Sequence, residues 1–252
     1  VTFFFRATAL TIFSFAASLP LHASTLEISP VLIDVMTETA AATTIRLRNR
    51  SVEPVRVQLR MHRWQQTDGE DVLKPAGDGI VAVSPPFVTL NSGVENIVRI
   101  ARLAKGAVTG EETYRLLIDE LPPPALPDGQ VRLAMRHSIP IFFRSANAKA
   151  SRLSWRLSRT DGVTSLVASN EGDRRVRITQ LSIRGGTTGV ETLIAPGLAG
   201  YVLGGSSKRW VLRTGEQPVS VTFNSETGAE RQPISAYNAS INAPDPAFDA
   251  PS

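Results

Sequence analysis

Few residues in this chain of 252 have the type and spacing that chemistry needs. The three histidines fall at His22, His62 and His137. Neither His62 nor His137 has a second imidazole at ligand spacing, so a metal would need carboxylates gathered from elsewhere, and no metal site is expected. The acidic doublets Glu111-Glu112 and Asp119-Glu120 have the carboxylates that glycoside hydrolysis uses. Their simpler reading is charged strand ends and solvated faces. Gly204-Gly205-Ser206-Ser207-Lys208 resembles a phosphate-cradling loop only superficially: strand-like segments lie on both sides and no helix follows, so it reads as a hairpin turn. There is no Gly-x-Ser-x-Gly elbow and no His-Glu-x-x-His. The chain has no cysteine, which removes disulfides, thiolate metal sites and a cysteine nucleophile. Nothing here assembles an active site, and neither an enzyme nor a cofactor is expected.

The elements that carry these residues are strands. Thr44-Ile45-Arg46-Leu47-Arg48 and Val55-Arg56-Val57-Gln58-Leu59-Arg60-Met61 alternate apolar and polar residues. So does Gln130-Val131-Arg132-Leu133-Ala134-Met135-Arg136, and Val176–Ile183 and Val219–Phe223 repeat the pattern. A period of two buries one face and wets the other, as antiparallel sheets do. Asp68-Gly69, Gly77-Asp78-Gly79, Asp161-Gly162, Gly185-Gly186 and Thr227-Gly228 punctuate the strands as turns. No amphipathic segment of helix length is visible, so the fold class is all-β. Strand spacing and length fit two immunoglobulin-sized sandwiches of about 100 residues each. The boundary falls in the small, polar stretch Ser145–Ser151, giving domains over residues 24–146 and 147–242. No residue-level repeat relates the two halves.

The ends read differently. Arg6 precedes an apolar run from Ala7 to Leu19 and then Pro20-Leu21-His22-Ala23, the layout of an export signal cut after residue 23. No other stretch approaches the length of a membrane-spanning helix, so the remainder is not expected to be membrane-embedded. Residues 243–252, rich in Pro, Asp and Ala, read as a disordered tail. The net charge is +4, but Arg46, Arg48, Arg56, Arg60 and Arg63 are spread along alternating segments. That is the wet face of a sheet rather than a nucleic-acid footprint.

The first half resembles the periplasmic pilus chaperones of chaperone–usher secretion, most closely their archaic branch. The resemblance runs through Leu26-Glu27-Ile28-Ser29-Pro30-Val31, Ile45-Arg46-Leu47-Arg48-Asn49, Ser84-Pro85-Pro86-Phe87 and Ile97-Val98-Arg99-Ile100. It continues through Glu112–Pro122 and ends on Arg136-His137-Ser138-Ile139-Pro140-Ile141-Phe142. The second half matches only in length, strand pattern and position. The resemblance implies two immunoglobulin-like domains around a cleft in the periplasm. The partners would be pilus subunits and an outer-membrane usher, with no ATP involved.

In that family a subunit lacking its last strand is completed by a strand lent from the chaperone, whose alternate side chains fill the subunit's groove. The implied donor strand runs from Val131 to Ile141, with Val131, Leu133, Met135 and Ile139 as groove residues. The other reading is that these side chains face their own core; a donor face should be partly exposed in the free protein. Classical members hold the subunit's terminal carboxylate with an Arg on the first strand and a Lys on the donor strand. Those positions are Pro30 and Pro140 here. Archaic members lack that pair and carry Tyr-Arg-Leu on the preceding strand, here Tyr114-Arg115-Leu116. Arg115 is therefore the expected anchor and Arg136 the second candidate, unless Arg115 pairs with Glu112 or Asp119. The resemblance also implies an interdomain ion cluster of Arg144 with Glu111 and Glu226. The alternative function is an exported β-sandwich adhesin or pilus structural component.

Overall fold

The computed structural model describes residues 26–77, 79–122, 134–213 and 217–235. The segments expected as export signal (1–23) and tail (243–252) lie outside the described residues. The described chain is all strand and turn.

Ten strands precede Ser145: β1 (Leu26–Ser29), β2 (Ile33–Met36), β3 (Ala42–Asn49), β4 (Val55–Thr67), β5 (Glu70–Pro75), β6 (Val81–Ser84), β7 (Phe87–Leu90), β8 (Glu95–Arg102), β9 (Glu111–Leu121) and β10 (Arg136–Arg144). They form two facing sheets, one ordered β1-β3-β8-β6 and the other β2-β10-β9-β4-β5, with β7 paired onto β4. The alternation seen in the sequence explains the packing. Ile45 and Leu47 of β3 meet Val57, Leu59 and Met61 of β4 in one core with Tyr114, Leu116 and Ile118, while the intervening Arg46, Gln58 and Arg60 point away.

The second sandwich pairs a sheet of β11 (Leu153–Thr160), β12 (Val163–Asn170) and β15 (Ser207–Val211) with a second sheet. That second sheet is β14 (Glu191–Val202), β13 (Val176–Gly185), β16 (Pro218–Ser225) and β17 (Gly228–Pro233), in that order. Trp155, Leu166, Ile178, Val221 and Phe223 lie in its core. The inward set of β13 changes parity, from Val176 and Ile178 to Leu181 and Ile183. The cause is a bulge: Gln180 has φ +52° and the register with β14 slips around it. Asp68-Gly69 and Asp161-Gly162 have positive φ at both residues, as two-residue hairpin turns require.

Two expectations need correction. The Gly204–Lys208 segment is not a hairpin, because β14 and β15 belong to opposite sheets and the turn carries the chain between them. The halves also share a residue-level repeat. Asn49 donates through Nδ2 to the carbonyls of Glu53 (2.7 Å) and Leu90 (3.0 Å) and accepts the Ser51 N–H. Asn170 donates to the carbonyls of Arg174 (2.7 Å) and Val202 (3.3 Å) and accepts the Gly172 N–H. Each closes the corner leading to the next strand, and those strands open Val55-Arg56-Val57 and Val176-Arg177-Ile178. The signal is one buried polar residue and a tripeptide at matched spacing, hidden by unrelated residues between them.

Candidate functional site

β10 is paired along one side and half open on the other. β9 covers it from Arg136 to Arg144, whereas β2 runs parallel to it only at Ile141–Arg144. Among the described residues no strand pairs with the outer edge of Arg136–Pro140. The Glu120 N–H donates to the Met135 carbonyl at 2.9 Å, so odd-numbered residues direct their backbone groups at β9. By alternation Arg136 and Ser138 direct theirs outward. Pro140 shares that direction and has no N–H to leave unpaired, which suits it to an edge.

The side chains alternate too. Ile139, Ile141 and Phe143 enter the core of the first sandwich. Met135 has the same parity but lies past the end of that core and is 42% exposed. Ile139, expected among the groove residues, is instead a core residue at 6% exposure, because β9 and the facing sheet already enclose its position. Val131 and Leu133 lie outside the described residues.

Arg115 projects from the opposite face of the same sheet. It stands across from Pro140 on β10 and His62 on β4, while its neighbours Tyr114 and Leu116 point into the core. Its guanidinium carbon sits 3.8 Å over the Trp64 ring and 5.7 Å from the Tyr201 ring. The carboxylates near it in sequence are committed elsewhere: Glu112 to Arg102 at 2.8 Å, and Asp119 to Arg60 at 2.7 Å and to Arg136. Arg115 itself forms no ion pair among the described residues. Burial pushes its pKa below the ordinary arginine value, with Tyr201 and Asp71 opposing, yet a guanidinium stays charged. Arg136 is already paired.

The cleft wall behind Arg115 is built from both sandwiches. Trp64 and Phe142 of the first pack with Tyr201 and Leu203 of the second. Trp64 meets Tyr201 edge-on at 5.4 Å, a favoured aromatic geometry. The β4–β5 hairpin then reaches across. Gln66 donates to the Tyr201 carbonyl (2.7 Å) and accepts the Leu203 N–H (3.0 Å), and Arg209 N–H donates to Gly69 O at 3.0 Å. Lys208 Nζ lies 3.0 Å from Asp71. Burial raises the Asp71 carboxyl, but hydrogen bonds from Gln66, Lys208 and Trp64 and the Lys208 charge hold it below its ordinary value.

The ion cluster keeps two of the three expected members, Arg144 and Glu111, and takes in Asp34 and Arg175 rather than Glu226. Arg144 stands across the β10–β9 ladder from Glu111 but makes its ion pair with Asp34 at 2.8 Å. Asp34 also takes Arg175 of the second sandwich at 2.9 Å, and Arg175 takes Glu111 at 2.5 Å. Glu226 stays inside the second sandwich, accepting the Arg177 N–H at 3.0 Å. It faces the cluster across a cavity of about 460 Å³ that Asp34 and Arg175 also line, while the Arg175 guanidinium carbon lies 3.5 Å over the Phe142 ring. Burial raises the Glu111 carboxyl, with Arg175 opposing. Burial also works to raise Asp34, but Arg175 and Arg144 outweigh it and hold Asp34 below its ordinary value. Asp34 and Arg175 were not found from sequence, since Asp34 is one charge among many on the strands and Arg175 lies in the turn before β13. Trp64 carried a signal: it breaks the inward parity of β4 while being too large to leave wet.

No helix among the described residues is long and apolar enough to cross a membrane. Sequence comparison with curated proteins finds no match. Solved structures match over both sandwiches. A chain of the CsuC–CsuE chaperone–tip adhesion subunit complex, from archaic chaperone–usher Csu pili of Acinetobacter baumannii, matches with TM-score 0.68 at 22% identity, covering 85% of this chain and all of that one. The YadV chaperone matches at 0.62 with 16% identity, covering 83% and 100%. A chain of the Salmonella enterica SafA pilin–SafB chaperone complex matches at 0.59 with 17% identity, covering 84% and 97%. These likenesses show the two-sandwich fold. Residues 26–149 match the family model for the pili and flagellar-assembly chaperone, PapD N-terminal domain, and that first sandwich belongs to the pilus-assembly chaperone family.

Proposed function

We propose that this chaperone captures pilus subunits in the periplasm by lending the open edge of β10, and passes them to an outer-membrane usher in the manner of the archaic branch. The subunit-binding domain is residues 24–146 and its companion is 147–242. The half-open edge carries the reading. Outward backbone groups at Arg136 and Ser138 are available to a subunit strand, and the face that buries Ile139, Ile141 and Phe143 runs on into exposed Met135. That is a sandwich interior continued beyond its own core, an edge that otherwise invites aggregation. Burying Met135, and likewise Leu133 and Val131 of the same alternation, in a subunit groove is worth about 1.5–3 kcal/mol each before ordering costs. Arg115 supplies the carboxylate anchor: across the ladder from Pro140, it lacks an ion-pair partner among the described residues and offers a planar fork. Arg136, already paired with Asp119, is the poorer candidate.

Co-expression with a cognate subunit should give a soluble one-to-one complex recoverable from the periplasm. Arg115→Ala should reduce that yield about tenfold or more, the value of a charge-assisted hydrogen bond, and Arg136→Ala should leave most of it. Subunit solubility that is indifferent to the chaperone refutes the reading. A reversed order of the two arginine variants moves the anchor to Arg136.

A further inference from the structure

The anchor reading places one cation in the cleft, and the cation does not stand alone. Arg115 comes from the first sandwich and lies 3.8 Å over Trp64 of the same sandwich. Tyr201, at 5.7 Å from the guanidinium and 5.4 Å edge-on to Trp64, comes from the second. Tyr201 is itself pinned, since Gln66 grips the Tyr201 carbonyl at 2.7 Å and the Leu203 N–H at 3.0 Å across the interface.

A long arginine side chain has many rotamers, and holding it in its bound geometry beforehand removes an ordering cost from binding. A ring beneath the guanidinium face attracts it and leaves its edge N–H groups free to meet a carboxylate. A second ring beside it narrows the directions in which it can swing.

Resting on Arg115 as the anchor, we propose that the carboxylate site is assembled by both domains. Trp64 is the platform, and Tyr201 of the second domain is a positioning residue that holds Arg115 aimed into the cleft through its ring rather than its hydroxyl. The second sandwich thereby contributes to selecting a free chain terminus, although the donor strand belongs wholly to the first.

The test compares two fluorescent peptides of alternating valine and threonine, identical except that one ends in a free carboxylate and the other in an amide, with binding to the full chaperone read by anisotropy. The ratio of the two affinities isolates the anchor from apolar and backbone contacts, which a merely structural change would weaken for both peptides alike. The expected ratio for the native protein is about tenfold to a hundredfold, from one charge-assisted contact. Arg115→Ala should bring it to unity. Tyr201→Leu should cut it severalfold, Tyr201→Phe should preserve it, and Gln66→Ala, which loosens the backbone but keeps the ring, should lower it to a smaller extent. A ratio unaffected by Arg115→Ala overturns the anchor reading and this inference with it. A ratio lost in Arg115→Ala but intact in both Tyr201→Leu and Gln66→Ala overturns this inference alone. A ratio lost in Tyr201→Phe also overturns it, assigning the effect to the hydroxyl.

Discussion

Arg175→Met should unlock the two sandwiches. The native guanidinium bridges Asp34 and Glu111 and covers the Phe142 ring. Glu111 has 0% and Arg175 9% of its side chain exposed, so the variant leaves a carboxylate in a dry place with only a backbone N–H of residue 175 beside it. Breaking a buried pair from one side costs about 3–5 kcal/mol. Methionine fills similar volume, so the loss is electrostatic rather than a cavity. The pH dependence identifies the cause. The Glu111 carboxyl is raised by burial even with Arg175 present. A group raised in the folded state contributes its stability below its unfolded value and loses it as pH rises through the folded one. Without the arginine that rise grows, so the deficit should be largest at neutral pH and shrink in mild acid, where Glu111 takes up a proton. Urea unfolding at pH 7 and pH 5, followed by tryptophan fluorescence with Trp64 in the interface, measures both. Adding Glu111→Gln should restore most of the loss at neutral pH, closing a double-mutant cycle. A deficit below about 1 kcal/mol, or one equal at both pH values and not relieved by Glu111→Gln, refutes the assignment.

Three further outcomes can be checked directly. Ile139→Ala should cost about 2–5 kcal/mol of stability, while Met135→Glu should leave unfolding nearly unchanged and abolish subunit capture; equal thermal shifts for the two would contradict the division of β10. Gly69→Ala should destabilise the interface by about 1–3 kcal/mol, since φ there is +80° and the new methyl would lie 2.7 Å from Arg209 Cβ; an unchanged urea midpoint would show that the hairpin tip has room to move. Asp34, Asp71, Glu112 and Asp119 are all held below their ordinary values, so the stability they contribute is present above the usual carboxylate range and is lost as pH falls through their folded values. Acid titration by circular dichroism should show unfolding there, and Arg60→Gln should weaken the Asp119 share.

The strands were legible wherever burial was one-sided. Ile45 and Leu47, or Val57, Leu59 and Met61, alternate because only one face of their sheets is covered. Legibility failed where both faces are covered. In Ile139-Pro140-Ile141-Phe142-Phe143 alternation vanishes because odd residues fill the core and Phe142 fills the domain interface. With no alternation, Ile139 could not be separated from the donor residues before it. Arg115 could be singled out by motif, but its lack of a carboxylate partner depended on where Arg60, Arg102 and Arg136 reach. The ion cluster was legible only in part: Arg144 and Glu111 were named, but Asp34 and Arg175 join them only once both domains are placed. Gln180 shows the same limit locally: its bulge turns one continuous pattern into two.

The paired asparagines make each corner depend on an uncharged amide. Each aims an amide nitrogen at two carbonyl oxygens in a corner where Asn49 and Asn170 are almost wholly shielded from water. Asparagine is among the thermolabile residues, and hydrolysis of its amide would exchange that nitrogen for a negatively charged oxygen facing the same two lone-pair donors. Ageing of a single side chain would thus turn a staple into a wedge, and either sandwich could be spoiled this way while the other remained sound.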